Sequence, residues 1–311
     1  MMNHLLNEQQ FPAGLLPAWF EARHRRALEQ ADQLPEPSRR MESWRFGMPG
    51  NESLEDFQAA PPLAPEALAS IIREHASMAD AIRIVYANGF PVSIPEELPE
   101  GLAVMDMEDF VLQYPDAARK YLETTPETLG SEKLAALNTV LQYNGLVIMA
   151  EKEISRPLEI FHFISGDKVA VFPATLVIAE TGSRLHILER HIGADHGSQF
   201  CGALQQHWLS SSSSVNYALV QELNSRSRAV ELCHIMADDD AEMEHLVSHP
   251  GAAWARQETV CLLTGDNARV RLLSANHLKE NKKLDQRTYQ KHLYRGASSN
   301  LLYVNVLDDE A

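Results

Sequence analysis

Arg184-Leu185-His186-Ile187-Leu188-Glu189, Arg228-Ala229-Val230-Glu231-Leu232-Cys233 and Ala268-Arg269-Val270-Arg271-Leu272 decide the fold of this chain. In these runs one face is apolar and the other polar, the two-residue period of a strand with one face in a core. They stand in a series of short β-rich segments: Leu158–Ile164, Val169–Ile178, Arg184–His191, Gln199–Trp208, Val215–Gln221, Ala229–Met236, Glu242–Val247, Trp254–Leu263, Ala268–Ser274 and Leu301–Val306. Turn clusters at Thr181-Gly182-Ser183, Ser210 to Ser214, Asp238 to Asp240 and Gly265-Asp266-Asn267 separate them. The clusters recur roughly every 26 to 29 residues, a solenoid-like period that holds about two strands. Periodicity of this kind suits a β-helix or a β-sandwich equally, since both stack sheets over an apolar interior.

Upstream the pattern is different. Leu16, Trp19, Phe20, Ala27, Leu28 and Ala31 recur at helical spacing from Leu15 to Ala31, and two prolines at Leu34-Pro35-Glu36-Pro37 end that helix. A Pro-rich loop, Ala60 to Pro65, precedes a short helix near Glu66 to His75. The β-rich Ile82-Arg83-Ile84-Val85-Tyr86, the turn Asn88-Gly89 and the extended Phe90-Pro91-Val92 predict a small hairpin. Helical patterns return at Met107 to Leu112 and around Ser131 to Leu141. The expected organisation is a mixed, mostly helical domain over residues 1–150 and a β-solenoid domain over 151–311.

At 311 residues the chain can bury a large core without disulfides or metal. Cys201, Cys233 and Cys261 are odd in number, widely spaced and free of CxxC pairing, which argues against a disulfide framework or zinc ribbon and for a reducing cytoplasm. No leader pattern and no apolar run of the roughly 20 residues a membrane span needs is visible. With 43 acidic and 27 basic residues the formal charge is −16, which repels nucleic acid and anionic membrane surfaces. Arg23, Arg25, Arg26, Arg39 and Arg40 are interspersed with acids and read as a solvated helix face and its exit loop.

Four ordered stretches carry a family resemblance: Pro35-Glu36-Pro37-Ser38-Arg39-Arg40-Met41-Glu42-Ser43-Trp44-Arg45-Phe46; Ile84-Val85-Tyr86-Ala87-Asn88-Gly89-Phe90 with Leu98-Pro99-Glu100-Gly101-Leu102; Ala136-Leu137-Asn138-Thr139 through Asn144-Gly145 to Arg156-Pro157-Leu158-Glu159-Ile160; and Asp285, Thr288, His292, Ser298-Ser299 and Val306-Leu307-Asp308-Asp309. Together they resemble the SufB/SufD family of iron–sulfur cluster assembly scaffolds, on its SufD side. The last stretch is similar to a late β-helix turn. The resemblance implies a right-handed parallel β-helix after a helical N-terminal domain, and so decides for the solenoid. It implies a non-catalytic scaffold that pairs with a SufB-like subunit and is served by a SufC-like ATPase, with iron or an iron–sulfur cluster held only in complex with the partner. Family chains continue beyond the position of Asp309-Glu310-Ala311 into further rungs, a Cys/His segment facing SufB and a helical region that docks SufC. None of these is expected here, so no cluster-interface residue carries over.

No catalytic, cofactor-binding or metal-ligating residue is assigned from the sequence. The cysteines are spaced by 32 and 28 residues, near the rung period, but read as small core residues. His186, His191 and His196 read as surface histidines, and His245 with His249 is discounted in the same way. Cys233 and His234, as strand neighbours, point to opposite faces and share no metal. Asp238-Asp239-Asp240 lacks the spaced oxygens of a calcium loop and reads as a turn, as does the serine run. No GxSxG, HExxH or GxxxxGK[ST] motif is present, so ATP chemistry belongs to a partner. Two alternatives stand beside the scaffold. A carbohydrate-active β-helix enzyme would need convergent acids and exposed aromatics, and aromatics are only 7% of the chain. A self-associating homologue would form a homodimer through an exposed rung.

Overall fold

A computed structural model describes residues 3–5, 16–45, 47, 53–63, 68–124 and 127–309. In chain order the elements are α1 (Ala18–Gln33), β1 (Gln58–Ala59), α2 (Leu68–His75), β2 (Ile82–Ala87), β3 (Phe90–Ser93), β4 (Leu102–Asp106), α3 (Met107–Gln113), α4 (Pro115–Leu122), α5 (Glu132–Leu141), β5 (Leu146–Ala150), β6 (Leu158–Ile164), β7 (Val169–Val171), β8 (Ala174–Ala179), β9 (Arg184–Gly193), β10 (Gln199–Leu209), β11 (Ser214–Glu222), β12 (Arg228–Ala237), β13 (Glu242–Ser248), β14 (Trp254–Leu263), β15 (Arg269–Leu278), β16 (Lys283–His292) and β17 (Ser298–Leu307). From β8 onward successive strands alternate between two sheets. The first runs β16-β14-β12-β10-β8-β5-β4 and the second β17-β15-β13-β11-β9-β6-β2-β3.

This is a β-solenoid of about six turns with parallel sheets. Cys201 pairs with Ala229 and Ala229 with Ala255, register steps of 28 and 26 residues that match the sequence period. The two sheets close over an apolar interior that includes Leu185, Val215, Met243 and Val270 from one side and Ile235, Ala237 and Leu263 from the other. At the N-terminal end two antiparallel pairs, β2 with β3 and β4 with β5, extend the sheets.

The turns stack as well as the strands. Gly182, Ser212, Asp240, Asn267 and Gly296 all have positive φ, between 53° and 74°, at equivalent places in successive turns. Each amide of the first four donates to a carbonyl one turn on, from Gly182 to Ser211 through Asn267 to Arg295. Glycine and Asx residues take this left-handed conformation at least cost, which explains the composition of the turn clusters. Asp239 accepts from the amide of Asp266 at 2.6 Å, so the acidic run is a turn, as read.

The outer faces of the two sheets differ. Helices α1 and α5 pack Ala27, Ala31, Leu137 and Leu141 with Phe200, Leu204, Val230 and Leu232 on the first sheet, and Phe20, Phe110, Tyr121 and Leu122 join Val147, Leu176 and Ile178. Strands β10, β12 and β14 are therefore buried on both faces, whereas β11, β13 and β15 alternate. Asn138 on α5 pins the helix down by donating to Pro173 O at 2.8 Å and Gly202 O at 2.9 Å.

The Trp44 motif also finds its place. Arg256, fully buried on β14, bonds Glu258 and Asp285, donates to Ser43 O and Leu129 O, and lies 3.9 Å over the Trp44 ring. A guanidinium fork with carboxylates on two sides and an aromatic face beneath it ties the N-terminal segment to the solenoid. Phe46 lies outside the described residues.

Several expectations are corrected. The run Val169–Ile178 is two strands, broken at Phe172-Pro173 because proline has no amide to donate. Strand β16 was not expected, because its inward residues include Gln286, Thr288 and Gln290 and its outward ones Asp285, Arg287, Tyr289 and Lys291; Asp285, Thr288 and His292 lie along it, and Ser298, Ser299, Val306 and Leu307 along β17, in a late turn of the solenoid as the resemblance implies. Strands β4 and β5 and helix α4 were also missed. Arg23 is not solvated: it is buried against α4 and donates to Leu122 O at 2.6 Å. Among the described residues no helix is long and apolar enough to cross a membrane.

Candidate functional site

The inward phase of β9 reads Leu185, Ile187, Glu189, His191 and that of β11 Val215, Tyr217, Leu219, Gln221. Two apolar residues are thus followed, inside the core, by an acid and a base. From the opposite sheet β10 offers Cys201, Gln205 and His207, and β12 offers Glu231 and Cys233. His162 on β6 stacks beside His191, and His245 and His249 come from β13 and the residue after it. A polar seam therefore lies between the sheets, where a solenoid of this size would otherwise be filled with aliphatic side chains.

His191 is its centre. Nε2 stands 2.9 Å from Glu189 Oε1 and Nδ1 stands 3.0 Å from Glu231 Oε1. A carboxylate only accepts, so both ring nitrogens donate and the ring is an imidazolium held between two anions. The outer oxygens are also bonded: Tyr217 Oη donates to Glu189 Oε2 at 2.5 Å, and His249 Nε2 lies 2.7 Å from Glu231 Oε2. Cys201 Sγ is 3.7 Å from His191 Nδ1.

The protonation states follow from burial and from these contacts. Burial works against charging Glu189, yet the His191 hydrogen bond, with His162, His191 and Tyr217 around it, holds its carboxyl down at about 2. Glu231 is held at about 2 in the same way, its burial outweighed by His249 and His191. Burial also opposes the His191 cation, but Cys201 and the two carboxylates raise its pKa well above the ordinary histidine value. His162, beside them but only 3.4 Å from Glu189 Oε1, is pushed down to about 4 by burial and stays neutral.

A second group adjoins this one. The ligand atoms of His207, Cys233 and His245 all lie within 4.8 Å of one another, as do those of His162, Glu189 and His191. His245 stacks on Tyr217 with centroids 5.5 Å apart and 12° between planes, and His207 meets the same ring edge-on at 4.5 Å. Tyr217 is therefore the hinge between the groups. In the first group both His191 nitrogens are bonded to carboxylates, whereas in the second neither His207 nitrogen has a hydrogen-bond partner.

Burial of the three cysteines agrees with their reading as core residues, and the 32- and 28-residue spacings do not bring them together: Cys201 pairs with Ala229 and Cys233 with Thr259. Cys233 faces the interior and its neighbour His234 the other side of the strand. His186 and His196 are exposed, as expected of surface histidines. His191, His245 and His249 are not on the surface; they are buried, His191 and His245 on the inward phase of their strands and His249 just beyond β13, beside Glu231. The signal that finds them is a polar residue where the strand's own period demands an apolar one.

Residues 162–311 match the family model described as "SUF system FeS cluster assembly, SufBD core domain". Among curated proteins, the chain is 24% identical over 220 residues to the iron–sulfur cluster assembly protein SufD of Bacillus subtilis (strain 168), covering 67% of this chain and 50% of that protein. It is 22% identical over 219 residues to an iron–sulfur cluster assembly SufBD family protein of Porphyra purpurea, covering 67% and 45%. A SufBD family protein of Mycobacterium leprae (strain TN) is 22% identical over 181 residues, 58% of this chain and 21% of that one. The chain spans about half the length of the first two relatives.

Proposed function

Because the chain belongs to the SufBD family, as a SufD-like member, we propose that it is a non-catalytic scaffold subunit of SUF-type iron–sulfur cluster assembly that pairs with a SufB-like subunit and is served by a SufC-like ATPase. The observation that carries this reading is the coincidence of the SufBD core match, from residue 162 onward, with the two-sheet parallel solenoid. In this reading the unit before residue 150 caps and anchors the solenoid of 151–311, the complex works in a reducing cytoplasm, and ATP turnover belongs to the partner.

The second sheet supplies a surface for pairing. Leu188, Ala218, Leu246, Leu273 and Leu302 occupy partnered positions on five successive strands and form one outward apolar row. Helix α2 covers β2, β6 and the end of β9 with Leu68, Val85, Phe161 and Ile192, and leaves this row open. Leu246 and Leu302 are 37% and 56% exposed. A contiguous apolar strip on a strongly acidic protein marks a contact surface.

The test is a binding assay of the purified chain against a SufB-like protein, with Leu246→Lys and Leu302→Lys introduced together. The native chain should bind, and the double variant should bind at least about tenfold more weakly, about 1.4 kcal/mol, with an unchanged circular dichroism spectrum. Equal binding by the variant moves the contact surface elsewhere. No binding by the native chain removes the pairing itself.

A further inference from the structure

We infer that His207, Cys233 and His245 form a metal site inside the solenoid that takes one thiophilic divalent ion of the Zn²⁺, Co²⁺ or Fe²⁺ class, independently of any partner subunit. The three side chains come from β10, β12 and β13, so both sheets contribute, and their ligand atoms already converge within 4.8 Å. Cys233 Sγ is 3.5 Å from His245 Nε2. Around a tetrahedral ion with bonds of about 2.0 to 2.3 Å, ligand atoms stand about 3.3 to 3.8 Å apart, so the group closes by about one ångström to bind.

The second observation is His207 itself. Its ring is fully buried, and neither Nδ1 nor Nε2 has a hydrogen-bond partner. An imidazole placed in a core without a partner for either nitrogen costs stability that a leucine would not. A metal ion removes the cost for one of those nitrogens. His191, by contrast, has both nitrogens bonded to carboxylates, which is why its group carries no such inference.

The donor set favours the same ion. Both imidazoles present a ring nitrogen to the centre of the group, and the Cys233 sulfur lies against that of His245. The Cys233 thiol gives up its proton when a metal binds, because the thiolate is the ligand. Binding forms one S–M bond, breaks the S–H bond and releases one H⁺, leaving a site of net charge +1. Tyr217, bonded to Glu189, stacks on the His245 ring and holds it in place. One thiolate and two imidazoles suit a borderline transition metal and not Mg²⁺ or Ca²⁺.

The test is anaerobic refolding of the full chain from denaturant with Co²⁺ and a reductant, which circumvents the closed interior. One equivalent of Co²⁺ should bind, with tetrahedral visible bands and a near-ultraviolet thiolate-to-cobalt charge-transfer band. Cys233→Ser should lose that charge-transfer band, His207→Ala should weaken binding at least about tenfold, and Cys261→Ser should leave both unchanged. A refolded native chain without a charge-transfer band, or a band that survives Cys233→Ser, overturns the site. Because no partner is present, the result is separate from the pairing proposed above.

Discussion

Replacing His191 by leucine should lower the stability of the chain by about 3 to 5 kcal/mol, read from the shift of the urea midpoint at pH 7. The ring is fully buried and is the cation between Glu189 and Glu231, so its loss leaves two buried carboxylates facing each other across an apolar gap. The cost is that of uncompensated charge, and it exceeds what a similar side-chain volume recovers. The signature that separates this from simple packing loss is non-additivity: adding Glu189→Leu and Glu231→Leu should restore part of the lost stability, because no charge is then stranded. If the triple variant is weaker than the native chain by the sum of three independent losses, the charge account is wrong.

Acid should unfold the chain cooperatively before pH 4. His24, His162 and His245 are pushed to about 4 and His207 to about 3, all by burial first. Their folded pKa values lie below that of the unfolded chain, near 6.5, so the unfolded state takes up protons that the folded state refuses. Stability is therefore full above pH 6.5 and falls as pH drops toward 4. At about 1.4 kcal/mol per pH unit for each group, four histidines give a slope of about 5 kcal/mol per unit in mid-range, enough to exhaust an ordinary stability of about 5 to 15 kcal/mol within two to three units. Glu189 and Glu231, held at about 2, add to the loss from about pH 4.5 downward. His191 has the opposite sign: its raised pKa contributes stability that is complete below pH 6.5 and is lost only as pH rises through the elevated value. Urea midpoints measured in chelator from pH 8 to 4 read the slope. A flat profile between pH 6.5 and 4.5 would contradict neutral burial of these rings.

The solenoid was legible because the second sheet faces solvent on one side. Strands β11, β13 and β15 therefore alternate, and the turn period shows through Gly182, Asp240 and Asn267. On the first sheet helices cover the outer face and erase the alternation in burial on β10 and β12, so the alternation read in Arg228–Cys233 misplaces its faces: Val230 and Leu232 pack under the helices and Glu231 faces the interior. Strand β16 escaped because neither of its faces is apolar. The buried cluster was not legible as a cluster: its members come from six strands between residues 162 and 249, and solenoid stacking brings together groups 40 residues apart such as His191 and Glu231. Yet one step was within reach. Counting in twos from Leu185 and Ile187 places Glu189 and His191 in the core, whereas attention to the flanking Gly193 placed His191 on the surface.

The exposed and buried parts have different roles in this account. The polar seam fixes the packing between sheets, through charges that tolerate only one register, whereas the proposed pairing rests on the outward row of the second sheet.

Co-expression of the chain with the SufB-like and SufC-like proteins of the same organism, followed by size-resolved purification and analysis of iron and acid-labile sulfide, tests the scaffold assignment most directly. The account predicts a single assembly containing the chain and the SufB-like subunit, with iron and sulfide in the same fraction. A chain that elutes alone, folded by circular dichroism, while the other two proteins assemble and carry cluster without it, would contradict the assignment.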